Sequence, residues 1–163
     1  MRIAVAGIPG VGKTDLARKL SARLGLPFVS APVEEIFKGE GDLRKKQFDA
    51  LFRQIEAENA CPGGFVTDRP GMNFLAHWVL YFPPCHEENR RYGQLCLTRP
   101  YDLVAYISPD GALDERHDKM EVFLLGCVAQ YENRVVVYKD EPEAMAEEVL
   151  RALSGGDRVW SNL

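Results

Sequence analysis

Gly7-Ile8-Pro9-Gly10-Val11-Gly12-Lys13-Thr14 fills every fixed position of the pattern G-x-x-x-x-G-K-[ST]. Ahead of it stands Ile3-Ala4-Val5-Ala6, a short apolar run that reads as a buried strand over residues 1–6. Behind it, Leu16, Leu20 and Leu24 recur every four residues and form one apolar stripe on a helix over 13–24, ended by Gly25. A glycine loop between a strand and a helix is an anion cradle. Glycines let the backbone curl until successive N–H groups converge on phosphate oxygens. The helix then aims its positive N-terminus at the same anion. Lys13 brings a mobile ammonium to the β- and γ-phosphates, and the Thr14 hydroxyl is a ligand for Mg2+. The expected nucleotide-binding residues are Gly7, Gly10, Val11, Gly12, Lys13, Thr14 and Asp15.

Outward from the loop, strands and helices alternate. Further strands read at 27–30, 65–67, 101–107 and 134–138, and helices at 42–60, 72–82, 87–98, 113–131 and 142–153. Asp42 is a good N-cap for the long helix. Its periodicity turns Phe48, Leu51, Phe52 and Ile55 inward and Arg44, Lys45 and Lys46 outward. Such alternation predicts an α/β fold in three layers, a five-stranded parallel sheet covered on both faces. The domain occupies 1–153, and 154–163 is a polar tail with a lone Trp160.

A length of 163 residues suits one domain. With 46% hydrophobic and 27% charged residues, the chain is neither disordered nor fibrous. The net charge of −4 disfavours a generic, whole-surface nucleic-acid binder. Charge is uneven: residues 1–53 hold ten Lys/Arg against six Asp/Glu, which suits a polyanion bound near the glycine loop. Cys61, Cys85, Cys96 and Cys127 show no metal-ligand spacing and read as reduced apolar residues. The most apolar helix, 72–82, is interrupted by Asn73 and His77, so no membrane span is expected. With no visible leader, the expected compartment is cytoplasm, a host's if a phage encodes the chain. His77, His86 and His117 read as surface or packing residues. Trp78, Tyr81 and Phe82 read as core or pocket wall, and Tyr92 and Tyr101 as possible stacking partners for a base.

The second mark is Phe65-Val66-Thr67-Asp68-Arg69-Pro70, an acidic residue ending an apolar strand. From there it can face the phosphate loop and serve Mg2+ or its waters. P-loop motor ATPases place Asp-Glu at this point, whereas Asp68-Arg69 resembles the P-loop kinases of small molecules. The chain looks like the compact group around nicotinamide riboside kinase and thymidylate-kinase-like proteins. The resemblance rests on residues 7–14, Glu34-Glu35, Thr67-Asp68-Arg69 and Tyr101-Asp102-Leu103, and covers 1 to about 153. It implies a P-loop NTPase fold with strand order 2-3-1-4-5, ATP and Mg2+ as cofactors, and catalytic roles for Lys13, Asp68, Arg69, Arg116 and Glu35. Thr14 and Asp68 would serve the metal. Asp68 is the first candidate for general base, and Glu34 and Glu35 come next. It also implies a lid at 109–119, hinged at Gly111, with Arg116 and Lys119 on the transferring phosphate; a plain capped helix start is the other reading of that segment.

The implied reaction is γ-phosphoryl transfer from ATP to a hydroxyl of a nucleoside or nucleotide. One phage branch of the resembling kinases acts instead on 5-hydroxymethyluridine within DNA. Arg44, Lys45, Lys46, Arg90, Arg91 and Arg99 would then track phosphates. A reading of another class is a regulatory NTPase that hydrolyses ATP. The absence of Asn-Lys-x-Asp, and of Asp-Glu at strand three, opposes it.

Overall fold

The computed structural model describes residues 1–83 and 86–155. Twelve elements follow one another: β1 (Arg2–Ala6), α1 (Lys13–Leu24), β2 (Phe28–Val29), α2 (Val33–Phe37), α3 (Leu43–Asn59), β3 (Phe65–Thr67), α4 (Gly71–Tyr81), α5 (His86–Leu97), β4 (Leu103–Ser108), α6 (Glu115–Val128), β5 (Arg134–Tyr138) and α7 (Pro142–Leu153). The sheet order is β2-β3-β1-β4-β5, all parallel, as the resemblance implied. Ile3 stands beside Val66 on one side and Leu103 on the other. Residues 3–6 and 104–107 are fully buried, because central strands are covered on both faces. On the two sides, α1 packs with α7, and α4 packs with α3, α5 and α6. The order reverses between β1's two neighbours, so a crevice opens at the carboxyl ends of β1 and β3.

Local chemistry accounts for the element ends. Asp42 caps α3 by accepting from the N–H groups of Arg44 and Lys45. Asp114 does the same for α6 through Arg116 and His117, so the start of the expected lid helix is the plain capped start. His117 lies at the surface, its Nδ1 2.8 Å from Asp114 Oδ2. Tyr101 and Asp102 precede β4 rather than opening it, and the Asp102 carboxylate accepts from the Arg2 N–H at 2.7 Å.

Two expectations are corrected, and one helix was not anticipated. Phe52 is 41% exposed, and the inward face of α3 carries Gln54 and Glu58 instead. The helix α2 had no counterpart in the reading. Tyr92 and Tyr101 are core, not base-stacking surfaces. Tyr92 stacks on Trp78 at 4.2 Å between centroids, with Phe48 edge-on to both. Such aromatic clusters bury large apolar area. Cys61, Cys96 and Cys127 are free thiols; burial pushes the Cys96 thiol up and keeps it protonated. Cys85 and most of the expected tail, Trp160 included, lie outside the described residues. Among those described, no helix is long and apolar enough to cross a membrane.

Candidate active site

The loop leaves β1 at Gly7, whose φ is 151° and whose added Cβ would stand 3.0 Å from both Ile107 O and Val11 Cγ2. Only glycine lets the chain run that close to the end of β4. Val11 is buried and anchors the loop, while Gly10 lines the cavity described below. Gly12, at φ 91°, caps α1 from the left-handed region. Asp15 lies exposed in the first turn of α1, so its backbone is what it offers an anion. From α4, the Asn73 amide donates to Gly7 O at 2.7 Å and ties that helix to the loop.

Lys13 folds back over the loop and donates to Ile8 O at 2.7 Å. Burial pushes its ammonium down to about 8; the nearby Asp68 charge partly offsets this, and Arg69 lowers it further. The Thr14 hydroxyl donates to Asp68 Oδ2 at 2.5 Å. Asp68 is 2% exposed, and its Oδ1 has no hydrogen-bond partner. A buried carboxylate oxygen without a partner is costly unless a ligand completes it. Thr14 and Asp68 therefore fit a Mg2+ ion. No group of three or more His, Cys, Asp or Glu converges among the described residues. A divalent ion here would take most of its ligands from phosphate and water, as Mg2+ does.

Beyond Asp68 a cavity of about 560 Å3 opens. Lys13 and Thr14 close one end; Asp68, Arg69 and Asn73 lie along it. Its walls are Phe74, His77, Tyr81 and Phe82 after β3, faced by Val33, Glu34, Phe37, Leu43 and Gln47. The expected catalytic set is thus only partly assembled. Arg69 lines the cavity, with Nε donating to Ser30 Oγ at 3.2 Å. Glu34 lines it too, 4.0 Å from the Arg69 guanidinium. Glu35 is exposed on α2 and is not part of the lining, because neighbouring helical residues point in different directions. Arg116 lies outside as well, 3.8 Å above the Tyr81 ring, in a second hollow that shares Tyr81. Lys119 is paired with Glu115 at 2.6 Å.

His77, read as a surface or packing residue, packs as expected, stacking on Tyr81, and it also borders the cavity. Burial pushes its imidazole down to about 4, helped by the charges of Lys13, Arg116 and Arg69. Asn73, His77 and Tyr81 share one face of α4 at four-residue spacing. Polar groups on one face of an otherwise apolar helix were the signal available. A pH effect follows. Between pH 6.5 and about 4 the unfolded chain protonates this histidine and the folded chain does not. Stability is therefore complete above pH 6.5 and falls as pH drops toward 4. In His77→Gln that loss is smaller by on the order of 2 kcal/mol, read by urea unfolding at both ends of the window. An equal loss in parent and variant would refute it.

Comparisons with known proteins place the fold. Shikimate kinase of Paracidovorax citrulli (strain AAC00-1) is 31% identical over 119 residues, 61% of this chain and 65% of that protein. The chain spans less than two thirds of the length of the curated relatives it matches. Its fold is similar to that of deoxyadenosine kinase from M. mycoides with products dcmp and a flexible dcdp bound, at TM-score 0.71 and 16% identity over 95% of this chain and 100% of that one. It is also similar to NadR protein in complex with NR, at TM-score 0.68 and 17% identity over 99% of this chain and 52% of that one. The AAA domain family matches residues 2–123, from the start of β1 into α6. That stretch takes in every residue placed around the cavity, and the chain belongs to this family.

Proposed function

We propose that the chain is an ATP- and Mg2+-dependent phosphotransferase that moves the γ-phosphoryl group of ATP to a hydroxyl of an uncharged nucleoside-type acceptor. The observation that carries this reading is the junction at Asp68. There a phosphate loop and an unpartnered carboxylate oxygen meet a largely apolar cavity. A hydrolase needs no second chamber of this kind. The kinase relatives support the class, and the bound molecules named for the structural neighbours support a nucleoside-like acceptor.

The residues divide the work. The loop N–H groups and the end of α1 hold the triphosphate. Lys13 leaves Ile8 O and follows the charge on the γ-phosphoryl group. Thr14 and Asp68 would hold a Mg2+ ion, which would supply positive charge to the β- and γ-phosphates. The acceptor oxygen forms a bond to γ-phosphorus as the bridging oxygen leaves with ADP. Asp68 takes the hydroxyl proton, and Glu34 is the alternative base. Arg69, steadied by Ser30, faces the developing charge.

Charge in the cavity favours an uncharged acceptor. Its lining holds two cations, Lys13 and Arg69, and two anions, Glu34 and Asp68. With Lys13 given to ATP, no unopposed cation is left for an acceptor phosphate. A DNA acceptor asks for a file of solvent-facing cations. Of the six considered, Arg44 pairs with Glu88 and lies over the Trp78 and Phe82 rings, Lys46 donates to Gly39 O, and Arg99 is committed to Glu58 and Asn59.

Label transfer from ATP tests the acceptor. Nucleosides, their monophosphates and a 5-hydroxymethyluridine oligonucleotide are compared at low salt. We expect nucleosides to exceed monophosphates by at least about tenfold in kcat/KM, the scale of one unmatched charge. Preference for a monophosphate or for the oligonucleotide would contradict the reading.

A further inference from the structure

Two polar side chains stand on the buried face of α3 with no part in the chemistry above. Gln54 is 1% exposed and Glu58 is 3% exposed. The Gln54 carbonyl oxygen accepts from the Ala31 N–H at 2.8 Å. Its amide donates to Glu58 Oε1 and to Thr67 Oγ1, both at 2.9 Å. Glu58 Oε1 also accepts from the Tyr101 hydroxyl at 3.2 Å, and Glu58 Oε2 from Arg99 at 3.1 Å. Tyr101 in turn accepts from the Gly71 N–H at 3.3 Å. Thr67 Oγ1 accepts a second bond, from the Arg69 N–H at 3.1 Å.

These bonds converge on one short stretch of chain. Thr67 and the Arg69 backbone flank Asp68. Gly71 begins α4, which carries Asn73 and His77. Ala31 follows Ser30, the residue that holds the Arg69 guanidinium. Burial removes competing water, so each bond restrains its partner firmly. The same burial pushes the Glu58 carboxyl up, against the pull of Gln54, Arg99 and Tyr101. A generic core would place apolar side chains here at less risk.

We propose that the buried Gln54–Glu58–Thr67 relay is a positioning device, which fixes the turn over 67–71 so that Asp68 faces Thr14 and Arg69 faces the cavity. The proposal rests on the reading of Asp68 and Arg69 given above. It makes Gln54 and Thr67 positioning residues whose loss acts through Asp68.

The test uses near-isosteric changes at Thr67. Thr67→Val keeps the shape and the strand preference but deletes the hydroxyl; Thr67→Ser keeps the hydroxyl. Two readouts are taken on the full chain. One is the gain in ATP affinity on adding Mg2+, by titration with Mg2+ and with EDTA. The other is kcat with a nucleoside. In Thr67→Val we expect the Mg2+ gain and kcat each to fall by about tenfold or more, the usual cost of removing a group that orients a metal ligand. Affinity for ATP without Mg2+ stays within about twofold, since the loop is untouched. Thr67→Ser restores both. Adding Gln54→Leu to Thr67→Val costs little beyond the larger single effect, because both act through one relay. A Thr67→Val protein with a lowered Tm but parental Mg2+ gain would reduce the relay to a stabilising role and overturn the proposal. Absence of transfer in the parent would instead refute the phosphotransferase reading, and the Mg2+ titration would still decide the relay.

Discussion

Lys13→Ala is expected to lower kcat/KM for phosphoryl transfer on the order of 10^3-fold, the scale of a lost cation on a transferring phosphoryl group. The fold should be unaffected. Lys13 makes one hydrogen bond, to Ile8 O, and its ammonium is held below its ordinary range by burial. Removing it relieves an unfavourable burial while Gly7, Val11 and Asn73 continue to hold the loop. Circular dichroism and Tm should match the parent. Parental turnover in this variant would dismiss the phosphate-loop assignment. A collapse of Tm would show that Lys13 serves the fold.

Asp68→Asn carries the second large effect. The amide oxygen still accepts from Thr14, so the local geometry survives. What is lost is the negative charge that can order Mg2+ or take a proton. We expect kcat to fall about 10^2–10^4-fold, the range attributed to a positioned base. ATP affinity without Mg2+ should change by less than about fivefold, because the loop N–H groups and Lys13 provide it. The opposite split, with affinity lost and kcat kept, would assign Asp68 to nucleotide binding alone.

The central features were legible because each has a local cause. Glycine spacing, Lys13-Thr14 and an apolar run cut off by Asp68 announce themselves within a few residues. The strand order came from resemblance and agrees with the sheet. What stayed hidden depends on tertiary contact. Periodicity assigns Asn73, His77 and Tyr81 to one face of α4, but says nothing of the cavity that this face borders. Tyr92 sat in a helix read as polar, and Trp78 from α4 with Phe48 from α3 makes it core. Gln54 and Glu58 interrupt no apolar stripe strongly enough to be noticed; their partners outside α3 lie 13 to 43 residues away in sequence. Arg116 was assigned by resemblance to a lid, and here it rests on Tyr81.

Incubating the protein with γ-labelled ATP and Mg2+, with and without a nucleoside, tests the central claim most directly. A phosphotransferase puts the label into a nucleoside monophosphate in step with ADP, and releases little inorganic phosphate when the nucleoside is omitted. Steady release of labelled inorganic phosphate from ATP alone, at a rate that nucleosides do not alter, would contradict it.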